Sequence, residues 1–281
     1  MGVITERRAT GPGPGVRVNA AGRAAPLSDV WRYRGMLRSL VVRNLKVKYQ
    51  RSALGFVWTF LNPLLSVGIL AAVFSRVVRI PVPDYWAFLM SGYFTWNFTQ
   101  QMLSTGTYVI AEHTGLRRSV AFPNEILILS AAVSRLVEFA IELVLVVVAL
   151  VLLHHHGVPA SYVLVPLLVV LQVVLAVGLV MPIATVSVFY SDVQHVLPIV
   201  LMMLFYVSPV FYPAQLVPGA FQPLFFLNPL AGLLTLFHVV LYEGRFPSPA
   251  LLGGTAAGAV AIFAIGYAVF NRYKALFAEV V

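Results

Sequence analysis

The chain has no cysteine in its 281 residues. That excludes disulfides and thiolate metal sites, and leaves the redox compartment undetermined. Charge is scarce as well: Asp, Glu, Lys and Arg make up 10% of the residues and hydrophobic types 60%, with a mean hydropathy of +0.88. Soluble domains carry about 25% charged residues, so this composition describes an integral membrane protein. Lysine is rarer still, confined to Lys46, Lys48 and Lys274, and none of the three follows a glycine. A phosphate-cradling loop ends in Gly-Lys-Ser/Thr, so the chain does not hydrolyse ATP by that route. The opening residues are rich in Gly, Pro and Arg and hold no apolar segment of the kind a cleavable signal needs.

The charge that is present is positive and crowded toward the start. The net charge is +9, and eleven of the 19 Lys and Arg residues precede Phe56. Elsewhere a pI near 10.0 would raise nucleic-acid binding. Here the placement beside an apolar run points to a membrane surface, where each cation near anionic lipid is worth about 1 kcal/mol. Residues 1–27 read as a disordered cytoplasmic tail with Gly-Pro-Gly-Pro-Gly at 11–15. Residues 28–51 follow as a helix, with Ser28 as its N-cap. Val30, Tyr33, Leu37, Leu40, Val41 and Leu45 step mostly by three and four, while Arg32, Arg38, Arg43 and Lys46 fall off that stripe. An interfacial amphipathic helix is expected, with a soluble helix packed on another domain as the alternative.

Residues 52–281 form the membrane domain. A span needs about 20 apolar residues, and six stretches are candidates: 56–75, 85–110, 126–153, 162–189, 196–211, which is short and ends in Tyr212-Pro213, and 250–270. With an even count both termini share a side. That side then holds the early cations together with Arg117, Arg118, Arg272 and Lys274, while the other holds Arg76, Arg79 and Arg245. Lys and Arg accumulate on the cytoplasmic side of spans, so both termini are expected in the cytoplasm. Residues 212–249 are apolar but broken by six prolines, and they read as two short re-entrant or outer-face helices. A straight seventh span through 225–241 is the competitor.

Several polar groups lie where lipid would surround them. Arg135, Glu138 and Glu142 are three and four residues apart, on one helix face. Two readings stand: a polar path on which Arg135 meets a phosphate, or a charge pair stapling neighbouring helices. Phe94, Trp96 and Phe98 lie deep in the second span and are candidates for lining a path. Trp58, Tyr85 and Trp86, at span ends, read as interfacial anchors. His154-His155-His156 reads as a solvated turn, because adjacent histidines converge poorly on one ion. Asp192 and His195 read as a cytoplasmic junction.

The run Arg43-Asn-Leu-Lys-Val-Lys-Tyr-Gln-Arg-Ser-Ala-Leu-Gly-Phe-Val-Trp58, continuing to Asn62-Pro63-Leu64, closely resembles the signature of ABC-type polysaccharide and polyol-phosphate export permeases. Phe122-Pro-Asn-Glu-Ile-Leu127, Phe189-Tyr-Ser-Asp-Val-Gln-His195, Ser208-Pro-Val-Phe-Tyr-Pro213 and Asn228-Pro-Leu230 resemble the same family in the same order. The likeness covers about residues 29–274. It departs at Ser191, where many members carry an Arg, so Asp192 has no adjacent cation.

The resemblance implies an all-α membrane subunit of an exporter in a bacterial plasma membrane. Two copies would work with a separate ABC ATPase, which would hold ATP and Mg, and move a lipid-linked glycan or polyol-phosphate polymer such as O-antigen or teichoic acid outward. It further implies that the surface helix, with Arg43 and Lys46, and the loop from Glu112 through Phe122, Pro123, Asn124 and Glu125 touch that ATPase. No cofactor, metal or nucleic acid is expected in this chain. A drug or small-lipid ABC permease is the alternative within transport. A membrane-embedded transferase is the alternative class, with Glu112, Glu125 and Asp192 as its only scattered cytoplasmic carboxylates.

Overall fold

The computed structural model describes residues 31–50, 55, 57–113, 122–155 and 157–277. The expected tail, Val30, the Ser28 cap, the Arg51 junction, Arg117 and Arg118 lie outside the described residues. Every regular element among the described residues is helical. Helix α1 spans Arg34–Tyr49, α2 Val57–Val73, α3 Tyr85–Gly106, α4 Glu125–Leu150 and α5 Val165–Phe189. Helices α6, Val193–Val207, α7, Gln222–Leu227, α8, Pro229–Phe237, and α9, Pro249–Tyr273, complete the order. α2, α4 and α8 each run on into a π-helical turn, at Phe74–Val78, Val151–His155 and His238–Tyr242.

Four continuous helical stretches are long and apolar enough to cross a membrane: Val57–Val78, Glu125–His155, Ala160–Phe189 and Pro249–Leu276. The protein is therefore a multi-pass membrane protein. The other two expected spans differ for physical reasons. α3 has the length, but Ser91, Thr95, Asn97, Thr99, Gln100 and Gln101 lower its hydropathy, and it is wrapped by α2, α4, α5, α6 and α8. Its buried hydroxyls are satisfied within the helix: Ser91 donates to the Phe88 carbonyl at 2.7 Å and Thr95 to Ser91 at 3.1 Å. Gln172 of α5 donates to the Thr95 carbonyl at 2.7 Å and ties α5 to this polar core. α6 is apolar but has only 15 residues, short of the membrane thickness.

No straight helix crosses residues 225–241. Gly219–Leu227 and Pro229–Tyr242 meet at 101°, because Asn228 takes an extended conformation before Pro229 and caps the Leu230 amide at 3.0 Å. α5 and α9 form the most extensive helix pair. Two glycines permit it, since a Cβ at Gly266 would overlap the Gly178 carbonyl and one at Gly178 would lie 2.6 Å from the Phe263 Cα.

Candidate functional site

α1 lies against α4. Leu40 is buried at the contact, and Met36, Leu37 and Tyr33 pack beside it. Arg32, Arg38, Arg43 and Lys46 are exposed. Lys48, near the end of α1, turns into the bundle, where its Nζ donates to both carboxylate oxygens of Glu138 at 2.9 Å. On the same face of α4, Arg135 pairs with Glu138 through Nη1 and with Glu142 through Nη2 at 3.3 Å. Two cations and two carboxylates thus form one chain of ion pairs. Arg135, Glu138 and Glu142 are buried, where an unpaired charge would cost several kcal/mol. Both Nη groups of Arg135 are committed to carboxylates. Through Lys48 and Glu138 this arrangement ties α1 to α4.

A second pair lies at the start of α4. Glu125 accepts from Lys274 Nζ at 2.6 Å, and both side chains are buried. Lys274 follows α9, so this bond joins the end of the last span to the Phe122-Pro123-Asn124-Glu125 turn. Phe122, Pro123 and Asn124 are half-buried, and the helix starts at Glu125, two residues after Pro123. Glu112 is exposed on a short 3₁₀ turn, with its amide bonded to the Tyr108 carbonyl at 2.9 Å. Asp192 and His195 are exposed at the start of α6. The three candidate carboxylates of a transferase site therefore do not share one environment: Glu125 is spent on a lysine while the other two face outward.

Above the first cluster a cleft of about 290 Å³ opens between α2 and α3, lined by Lys48, Trp58, Asn62, Tyr93, Asn97 and Gln101 among others. Tyr93, Asn97 and Gln101 recur every fourth residue and put a polar stripe of α3 along it. Gln101 donates to Asn97 Oδ1 at 3.0 Å, while the Asn97 Nδ2 donor has no partner among the described residues. Phe94, Trp96 and Phe98 are covered by the chain's own helices. Phe94 stacks on Phe60 with ring centroids 6.0 Å apart, Trp96 meets Phe205 edge-on, and Phe98 lies 5.0 Å from Phe139.

At the opposite end of the bundle the remaining motifs converge. Asn228 Nδ2 donates to Ser208 Oγ at 2.8 Å, so the Ser208-Pro-Val-Phe-Tyr-Pro213 and Asn228-Pro229 stretches are joined directly. His238, fully enclosed, bonds Ser91 and the Pro209 carbonyl at 2.8 Å each and stacks on Phe88 with centroids 4.0 Å apart. Gly92 makes room, since a Cβ there would sit 2.6 Å from the imidazole.

Lys48, Lys274 and His238 are the residues that sequence reasoning left out. The rarity of lysine was the available signal: two of the three lysines end in ion pairs with buried carboxylates.

The fold and its paired charges define a multi-pass α-helical membrane protein whose quoted motifs lie near helix junctions and lack the Gly-Lys-Ser/Thr of a phosphate-cradling loop. Residues 36–242 match the family model of the ABC-2 type transporter, and the chain belongs to that family. It is 31% identical over 253 residues to the O-antigen export system permease protein RfbA of Myxococcus xanthus, covering 89% of this chain and 97% of that one. It is 26% identical to a protein of the same name from Klebsiella pneumoniae, over 85% of this chain and 92% of the relative. It is 21% identical to the polysialic acid transport protein KpsM of Escherichia coli, over 84% and 92%. The chain is a membrane component of an ABC-2 type transporter.

Proposed function

We propose that the chain is the transmembrane subunit of an ATP-driven exporter that carries a lipid-linked polysaccharide or polyol-phosphate polymer out of the cytoplasm. Family membership and near full-length likeness to O-antigen and polysialic acid transport proteins support this reading. The observation that carries the mechanism is the pair of charge links at one end of the bundle, Lys48–Glu138 and Lys274–Glu125.

Their depth follows from helix length. Glu125–His155 has 31 residues, about 46 Å at 1.5 Å per residue, against a hydrocarbon core of about 30 Å. If His154 sits at the outer boundary, the first turns of α4 project into the cytoplasm. Glu125 then lies clear of lipid and Glu138 near the inner boundary. Pro249–Leu276, with 28 residues, overshoots on the same side and brings Lys274 to Glu125. This is the six-span arrangement, with α3 and the short α6 as the additional crossings, Gly219–Tyr242 re-entrant on the outer face, and both termini inside.

In this arrangement the ATPase docks on α1, through Arg43 and Lys46, and on the segment from Glu112 to Glu125. A push on either reaches a span without slack. From α1 it passes through Lys48 to Glu138 and α4, and from the Phe122–Glu125 turn through Lys274 to α9. Cargo meets the polar stripe of Tyr93, Asn97 and Gln101, backed by Phe94, Trp96 and Phe98. A second copy completes the path, and the exposed apolar face of α2, including Leu65 and Ile69, belongs to that contact or to lipid.

The test is co-expression with a candidate ABC ATPase from the same genome, followed by ATPase assays in proteoliposomes containing lipid-linked O-antigen. Stable co-purification and glycan-stimulated hydrolysis that is lost in Glu125→Ala support the reading. Failure to associate with an ATPase sinks it.

A further inference from the structure

His154 and His155 close the π turn of α4, and neither is a solvated turn residue. The His154 side chain is only 15% exposed. Its Nδ1 lies 2.8 Å from Asp84 Oδ2 and its Nε2 lies 3.1 Å from the Tyr242 carbonyl. The ring stacks on Tyr242 with centroids 5.1 Å apart at 10° and meets Trp86 edge-on. Beside it, His155 Nε2 is 2.8 Å from the Leu241 carbonyl, which also accepts from Tyr162 at 2.9 Å. The Tyr242 phenol returns a bond to the Pro83 carbonyl at 2.7 Å. Three segments are clasped here: the turn before α3, the end of α4, and the end of the bent Gly219–Tyr242 hairpin.

The chemistry of the partners sets the charge of the clasp. A carboxylate and a backbone carbonyl both only accept. A neutral imidazole carries one N–H and therefore serves one of them, leaving the other facing a lone pair. Both bonds form only with the imidazolium. Leu241 and Tyr242 also supply the last carbonyls of a helix, where a cation is favoured by the helix dipole. Other charged or titratable groups on the three segments are exposed Arg79, His155, Tyr162, Tyr242 and the Glu243–Arg245 ion pair. Histidine is the side chain that changes charge between about pH 5 and 8.

We propose that His154 is a positioning residue which, as an imidazolium, holds the outer-face hairpin to α3 and α4, and that raising the external pH loosens the hairpin. The external placement rests on the topology proposed above; the clasp itself does not.

The test is hydrogen exchange of amides 239–245 in the full chain, in its ATPase complex in liposomes, at external pH 5.5 and 8 and corrected for intrinsic base catalysis. Wild type is expected to exchange about tenfold faster at pH 8, and His154→Gln, which lacks a titrating group, to show no step. Asp84→Asn, whose amide accommodates a neutral imidazole, should flatten the profile while keeping the hairpin protected. Because the chain has no cysteine, Arg245→Cys probed with an impermeant maleimide reports the face. Labelling from outside with a flat wild-type profile, or a pH step retained in His154→Gln, overturns the clasp. Labelling only from the cytoplasm overturns the external role and the topology, whatever the exchange profile.

Discussion

Glu125 and Lys274 stand 149 positions apart and meet at 2.6 Å with both side chains buried. The carboxylate opens α4 directly after the Phe122-Pro-Asn turn, and the ammonium ends the last span. Among the described residues the second Glu125 oxygen has no partner and Lys274 is the cation set against that buried acid. Removing one member of such a pair leaves the other charged in a poor solvent, at a cost of about 3–5 kcal/mol. Lys274→Met and Glu125→Gln are each expected to lower the melting temperature of the detergent-solubilised protein clearly. The double variant should recover much of the loss. A double-mutant cycle on thermal unfolding measures the coupling, and additive single effects would contradict it.

Lys48 offers a graded comparison. Its side chain is 45% exposed, whereas Glu138 is 3% exposed, so water softens the loss of the lysine but not that of the acid. Lys48→Met should cost about 1 kcal/mol, in the range of partly exposed pairs. Glu138→Gln should cost about 3 kcal/mol, since it strips carboxylates from both Lys48 and Arg135. The two variants should nonetheless uncouple glycan-stimulated ATPase activity to a similar degree, because each cuts the same link between α1 and α4. Equal melting temperatures, or normal coupling in Lys48→Met, would separate stability from coupling against this reading.

How much of this was legible beforehand depends on the range of the interaction. The spacing of Arg135, Glu138 and Glu142 revealed a shared helix face because helical neighbours are three and four residues apart. The break at Asn228-Pro229 was legible because proline and its preceding residue restrict the backbone locally. Lys48–Glu138 and Lys274–Glu125 span 90 and 149 positions, and no periodicity carries that information. α3 was harder for a different reason. Residues 85–110 read as one span among six, yet their polar residues are the interior of the bundle, covered by more apolar helices. The histidines at 154 and 155 read as a solvated turn from their sequence neighbours alone, but their acceptors, the Leu241 and Tyr242 carbonyls, belong to a segment nearly 90 positions away.

Close packing of α5 on α9 gives a prediction with an internal control. Gly266→Ala drives a methyl group into the Gly178 carbonyl, while Gly253→Ala on the same helix meets nothing within 4 Å. Overpacking of a tight contact costs about 1–3 kcal/mol and more when backbone must move. Gly266→Ala should therefore melt at lower temperature and yield less folded protein by size-exclusion chromatography. Gly253→Ala should match wild type or exceed it slightly, as alanine favours helix over glycine.

Asn228 holds two functions in one side chain, and they can be separated. Its Oδ1 accepts from the Leu230 amide at 3.0 Å and caps α8, while its Nδ2 donates at 2.8 Å to Ser208 Oγ in the turn after α6. Ser208 is fully buried, so its hydroxyl loses this donor without gaining water. Asn228→Asp keeps the cap and removes the donor; its carboxylate can then accept from Ser208, and the loss should be under about 1 kcal/mol. Asn228→Ala removes both bonds, and the cap alone is worth about 1 kcal/mol, so about 2 kcal/mol should be lost. Exchange at the Leu230 amide reads the cap directly. It should speed up in Asn228→Ala and stay slow in Asn228→Asp. If Ser208→Ala also speeds that amide, the two bonds act together and the bend is held from the α6 side as well as by its own cap.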